Sequence, residues 1–212
     1  MVLSYRKIAS RSAFALVVGC LAWPMTGAPA AAQVSADQII NALAPPPVTR
    51  GLTAPETKPV SEKDRAFIKS LRHRTRSLTF DEKEHVAEMS KDWKKIDLEI
   101  YFDYNSSTIA RKAEPQLEQL GEALRSQRLR NATVVVAGHT DAKGGEKYNE
   151  GLSDRRAEAV KRYLVDKLNV PEENLTTAGY GKRHLKIPDE PFAPENRRVQ
   201  ILNAPETDTA SR

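Results

Sequence analysis

The chain has little of what many functional sites are built from. Its 212 residues include one cysteine, Cys20, set inside an N-terminal apolar run. The rest can form neither a disulfide nor a thiolate metal site and must fold on packing and hydrogen bonds alone. Aromatics are only 6% of residues, so the core is modest and mainly aliphatic. The four histidines, His73, His85, His139 and His184, are scattered. They lack the His-x-x-x-His pairing with a glutamate that marks a zinc hydrolase, and no Gly-x-Ser-x-Gly elbow occurs. No metal or cofactor is expected. The C-terminal half is not preceded by a series of ~10-residue alternating strands, so no transmembrane β-barrel is expected. A basic stripe is also missing. The formal charge is +5, but Arg6, Lys7 and Arg11 lie in the first 32 residues, which hold no acid. Setting those three aside leaves 30 basic residues against 28 acidic ones. That near balance argues against nucleic acid as a partner.

What is present begins with an export pattern. Arg6, Lys7 and Arg11 form a positive segment, Ala13 to Ala22 an apolar run, and Ala30-Ala31-Ala32 a small-residue site before Gln33. Positive, apolar, then small-x-small is the anatomy of a cleaved secretory signal, here residues 1–32. The run falls short of the ~20 residues of a membrane span. Val17-Val18-Gly19-Cys20 offers a competing cut, a lipoprotein box in which Cys20 is acylated. The apolar run continues past Cys20 through Leu21, Ala22 and Trp23, which favours the cut after Ala32.

Residues 33–60 read as a linker. Ile39, Ile40 and Leu43 allow a short helical turn, and Pro45-Pro46-Pro47 stops it. Residues 61–95 are charge-dense and helical. Phe67, Ile68 and Leu71 group on one segment. Thr79 and Glu82 have capping-box spacing ahead of Val86, Met89 and Trp93. Such a charged segment reads as a spacer packed loosely on the next domain, or else as a partner-binding arm.

Residues 96–203 carry the strongest pattern. Ile96, Leu98, Ile100 and Phe102 alternate with polar neighbours, as in a half-buried strand. Leu117, Leu120 and Leu124 recur at helical spacing behind Pro115, which suits a first turn. Thr133 to Ala137 is a β-branched central strand ended by Gly138. A second helix carries Leu152, Val160 and Leu164. Leu175 to Tyr180 and Arg198 to Leu202 supply two more strands. The order β-α-β-α-β-β predicts an α+β domain with helices on one face of a mixed sheet. Residues 204–212 form a tail.

Two segments stand out chemically: Gly138-His139-Thr140-Asp141 after the central strand, and Asn149 to Ala157 at the start of the second helix. At 100° per residue, Arg156 falls on the stripe of Asn149, Leu152, Val160 and Leu164, while Arg155 points away. An inward guanidinium cannot shed its charge and needs an anion. Asp141 is the nearest candidate in topology. The pair reads either as a structural salt bridge or as a clamp, with Asp141 taking an ammonium and Arg156 forking onto a carboxylate. Gly144 and Gly145 would let the backbone approach such a ligand.

Gly138-His139-Thr140-Asp141, the spaced set Asn149, Leu152, Ser153, Arg156, Ala157, Val160 and Leu164, and Asn196-Arg197-Arg198-Val199 together resemble the C-terminal domain of the OmpA family. That family includes the peptidoglycan-associated lipoproteins and the flagellar stator protein MotB. Phe102-Asp103 with Ser107 resembles its first strand exit. The resemblance covers about half the chain. It implies non-covalent binding of peptidoglycan, with Asp141 on the ammonium and Arg156 on the carboxylate of the stem-peptide diaminopimelate. It further implies that Asn149 and Leu152 line the groove and that Asp103 and Tyr104 contribute the loop after the first strand. Arg197 or Arg198 closes the far side. Strand alternation puts Arg197 with Val199 and Ile201, which favours Arg197. The implied task is to tether the outer membrane, or an envelope complex, to the wall. The rivals are an envelope protein-interaction scaffold and a cell-wall hydrolase using His139, Asp141 and Ser153.

Overall fold

A computed structural model describes residues 33–45, 61–74, 76–103 and 105–205. Residues 1–32, read above as an export signal and including Cys20, and residues 46–60, Thr75, Tyr104 and 206–212 lie outside the described residues. Three helices come first: α1 (Ala36–Leu43), α2 (Glu62–Leu71) and α3 (Phe80–Met89). Then follow β1 (Lys94–Leu98), α4 (Glu114–Arg125), β2 (Thr133–His139), α5 (Glu146–Asp166), β3 (Leu175–Gly181) and β4 (Val199–Ala204). From β1 onward this is the β-α-β-α-β-β order expected.

The four strands make one mixed sheet in the order β1-β4-β2-β3. β2 and β3 run parallel across the α5 crossover, and β4 is antiparallel to both β1 and β2. Alternation along β2 sorts the core. Val134 and Val136 face one side with α1, α4 and α5, while Val135 and Ala137 face the other. β1 is shorter than the alternating pattern predicts. Its ladder stops where Leu98 meets Val199, the first residue of β4. Beyond that point Phe102 pairs only with Ile109, across its own loop.

Helices cover both faces, not one. The second face packs Val135, Ala137, Tyr180 and Leu202 against Ile68, Leu71, Val86 and Trp93. The charged segment is therefore neither a loose spacer nor a free arm. Thr79 and Glu82 make the reciprocal cap expected of their spacing, and Val86 is fully buried. Two polar contacts pin the segment down. The Thr176 hydroxyl donates to the Leu71 carbonyl at 2.7 Å, and the Tyr180 hydroxyl to the Lys83 carbonyl at 3.0 Å.

The linker reading of residues 33–60 also needs correction at its start. Ile39 and Leu43 of α1 are fully buried against α4 and the sheet. Gln116 grips Val34 through both its backbone groups, at 2.8 and 2.9 Å. The Ala36 amide donates to Gln119 at 2.8 Å. The turn read from Ile39, Ile40 and Leu43 is thus a helix that belongs to the core. Among the described residues no helix is long and apolar enough to cross a membrane.

Candidate functional site

The site depends on how tightly α5 lies on the sheet. A Cβ on Gly138 would sit 2.4 Å from the Ser153 carbonyl oxygen, and one on Gly179 2.3 Å from the Asp154 nitrogen. Only glycine permits that approach. The Ser153 hydroxyl accepts from the Gly181 amide at 2.8 Å and donates to the Glu150 carbonyl at 2.8 Å. Asp154 accepts from the Gly179 amide at 2.7 Å and pairs with buried Lys83 at 2.8 Å. These motif residues therefore weld the first half of α5 to β3 and to α3. The weld fixes where Arg156 points.

Arg156 is half-buried on the inner stripe of α5, whereas Arg155 is exposed, as the helical spacing predicts. Its Nε donates to the Ser106 carbonyl at 3.0 Å, and its guanidinium lies 4.8 Å from the centre of the Phe102 ring. No other hydrogen bond joins it to a described residue. Burial lowers its pKa. Tyr148 and Asp141 oppose that shift, and Arg197 adds to it. An arginine keeps its charge at physiological pH all the same.

Asp141 follows the end of β2 by two residues. One of its oxygens accepts from the Lys143 amide at 3.1 Å. The other pairs with Arg197 Nη1 at 2.8 Å. The Ala142 amide donates to the Pro191 carbonyl at 2.9 Å, which ties the Asp141 loop to the 182–196 loop. Asp141 and Arg156 thus do not form a closed ion pair with each other. They lie within electrostatic reach of one another, with Arg197 beside them.

A cavity of about 110 Å³ opens between Phe102, Gly138, His139, Arg156, Arg197 and Arg198. Asp141 reaches its edge through Arg197 and is not itself in the wall. Asn149 and Leu152 are buried and support the site instead of lining the cavity. The Asn149 amide nitrogen donates to the Lys143 carbonyl at 2.9 Å and so braces the Asp141 loop. Asp103 is exposed. Its backbone amide donates to the Thr108 carbonyl at 3.0 Å and closes the loop after β1. Arg197 and Arg198 precede β4, so strand alternation does not decide between them; both line the cavity, but they pair differently. Arg198 turns to Asp97 at 3.1 Å and to the His184 carbonyl.

His139 is buried and stacks on Tyr180 at 5.3 Å. Burial, with Arg198 nearby, takes its pKa down to about 3, so it is neutral at physiological pH. Neither of its ring nitrogens bonds a described residue. Sequence reasoning missed three contributors: the Ser106 carbonyl, the Phe102 ring under Arg156, and Tyr148, whose hydroxyl pairs with Asn105. Ser106 acts through its backbone, which carries no side-chain signal. Tyr148 sits one position before a motif residue, outside the apolar stripe.

Residues 101–198 match the family model described as the OmpA family. Residues 101–198 thus carry an OmpA-like domain. Outer membrane protein A of Serratia marcescens is 37% identical over 84 residues, covering 40% of this chain and 23% of that protein. An outer membrane protein of Gluconacetobacter diazotrophicus is 34% identical over 111 residues, covering 49% of this chain and 29% of that protein. The chain spans about a quarter of the length of these two curated relatives. Among solved structures, the peptidoglycan-associated lipoprotein from Burkholderia pseudomallei shares 29% identity at a TM-score of 0.43, covering 50% of this chain and 88% of that one. The OmpA match holds Asp141, Arg156 and Arg197 and leaves out α1, α2, α3, β1 and β4. The helices that cover the second face of the sheet lie outside the matched segment.

Proposed function

We propose that the OmpA domain binds peptidoglycan non-covalently through the diaminopimelate of the stem peptide, and so tethers the outer membrane or an envelope complex to the cell wall. The observation that carries this reading is the open arrangement of Asp141 and Arg156. The two opposite charges come from different elements, Arg156 in the cavity wall and Asp141 beside it on Arg197, and are not spent on each other. Arg156 uses Nε on Ser106 and keeps its outer edge for a carboxylate, which a guanidinium takes with two parallel bonds. Asp141 receives the ligand ammonium. At rest that carboxylate is held by Arg197, whose side chain is 48% exposed. The Asp141 side chain is only 15% exposed, so the pair is partly shielded, and the ligand ammonium replaces it with another charge-assisted contact. Arg197 is then free to turn toward the ligand carboxylate.

A hydrolase is poorly served by the same residues. The Ser153 hydroxyl is fully buried and committed to the Gly181 amide and the Glu150 carbonyl. His139 bonds neither Ser153 nor Asp141. The test is co-sedimentation with purified sacculi. Asp141→Asn, Arg156→Ala and Arg156→Lys should each weaken pelleting. Removing one member of a ligand-paired charge costs about 2–5 kcal/mol by analogy with interface pairs, roughly thirtyfold to several thousandfold in affinity. Lysine keeps the charge but not the fork, so Arg156→Lys should rescue little. Unchanged pelleting in all three, or release of soluble fragments by the native protein, rejects the reading.

A further inference from the structure

We infer that Tyr148 and Phe192 form an aromatic rim beside the Asp141 loop, against which the glycan strand lays the apolar faces of its sugar rings. The inference rests on the peptidoglycan reading and extends it from the peptide to the saccharide. Among the described residues three large hydrophobic side chains are exposed: Phe80 at 55%, Tyr148 at 47% and Phe192 at 67%. Phe80 is accounted for, since the Arg183 guanidinium lies 4.3 Å from its ring centre. The other two flank the same loop. A Cβ on Gly144 would meet the Tyr148 ring at 3.9 Å. Phe192 directly follows Pro191, whose carbonyl holds the Ala142 amide at 2.9 Å. Tyr148 also lies near Arg156.

Phe192 is not on a slack segment. Asn196 is fully buried behind it, accepting from the Ile187 amide and donating to the Glu190 carbonyl, both at 2.9 Å. The Ala193 amide donates to the Glu190 carbonyl at 3.0 Å, closing a turn around the phenylalanine. An ordered loop that keeps a phenyl ring in water forgoes most of the gain from burying it. A pyranose suits such a ring because its hydroxyls lie at the edge and its C–H bonds form an apolar face. The spacing agrees as well. Adjacent Cα atoms are about 3.8 Å apart, so the path Asp141–Ala142–Pro191–Phe192 places Phe192 within roughly 13 Å of Asp141. The two residues between the sugar and diaminopimelate span a comparable distance, about 7–10 Å with the lactyl link adding to it. A stem peptide gripped at Asp141 thus brings its own sugar to the rim.

The experiment compares two probes by calorimetric titration: a disaccharide tripeptide containing diaminopimelate, and the same tripeptide without sugar. Aromatic stacking is worth about 0.5–1.5 kcal/mol, so Phe192→Ala should weaken disaccharide tripeptide binding by about two- to twelvefold. Affinity for the bare tripeptide should stay unchanged, and Phe192→Trp should keep the native values. Both residues are exposed, so folding is not at stake. Equal affinities of Phe192→Ala and the native protein for the disaccharide probe overturn the rim while the clamp stands. An equal loss on both probes also overturns it, by assigning Phe192 to the peptide. Native protein that ignores both probes overturns the clamp and the rim together. In a further titration with a third probe, a peptide-free chitooligosaccharide, Phe192-dependent binding without tripeptide binding supports the rim and rejects the clamp.

Discussion

Replacing Leu71 by alanine tests whether the charged segment before the OmpA domain is structural. Leu71 ends α2, is fully buried, and packs with Ile68, Leu78, Val86 and Trp93 against β2 and β4. The substitution removes three carbons. At about 0.8 kcal/mol per buried CH2 the transfer loss is about 2.4 kcal/mol, and the residual cavity carries the total to about 3–4 kcal/mol. For a fold of this size each kcal/mol shifts Tm by about 2–4 °C, so Tm should fall by roughly 6–16 °C. Circular dichroism melts measure this, with urea midpoints as a second readout. Lys63→Ala, on the exposed side of the same helix, is the control and should stay within about 0.5 kcal/mol. A Leu71→Ala shift no larger than the control's would mean that α2 and α3 do not cover the sheet. Residues 61–93 would then not complete the core.

Gly179→Ala should destabilise by about 1–3 kcal/mol, because the new methyl group meets the Asp154 backbone. Gly151→Ala, where the added atom meets only the Arg155 side-chain tip, should instead be neutral or gain up to about 1 kcal/mol, and urea midpoints separate the two. Glu82 supplies an acid-labile contribution. Partial burial pushes its carboxyl up, but the Thr79 amide and the Arg74 and Arg76 guanidiniums pull it down further, to about 2. Its folded pKa lies below the unfolded value, so the stabilisation is complete above about pH 4.5 and is lost as pH falls toward 2. Glu82→Gln keeps the cap acceptor and removes the charge. Its stability gap to the native protein should be full at pH 7 and close on acidification, and a pH-independent gap would refute the assignment. His139 has the same sign of linkage. Its neutral form is stabilised on folding, so native stability should begin to drop below about pH 6.5, and His139→Phe should flatten that slope.

Much of this architecture is legible in local patterns. The β-branched run in β2, Pro115 in the first turn of α4 and the Thr79–Glu82 cap act over a few residues, so sequence spacing alone specifies them. The inward direction of Arg156 follows from the helical period in the same way. Other features come from partners distant in the chain. Nothing near Ile39 and Leu43 announces that they are core; their burial exists because α4 and the sheet offer a surface of matching shape. Lys83 looks like one more charge on a solvated helix until Asp154 and Glu150 arrive from α5.

The charges of Asp141 and Arg156, and the elements that bear them, were set by the amino-acid sequence alone. What the tertiary structure decided was the state of that couple: Asp141 held by Arg197 from 56 positions away, and Arg156 resting on a backbone carbonyl 50 positions back. Helical and strand periods are properties of neighbouring residues, whereas an ion pair depends on which distant segments the packed core brings together.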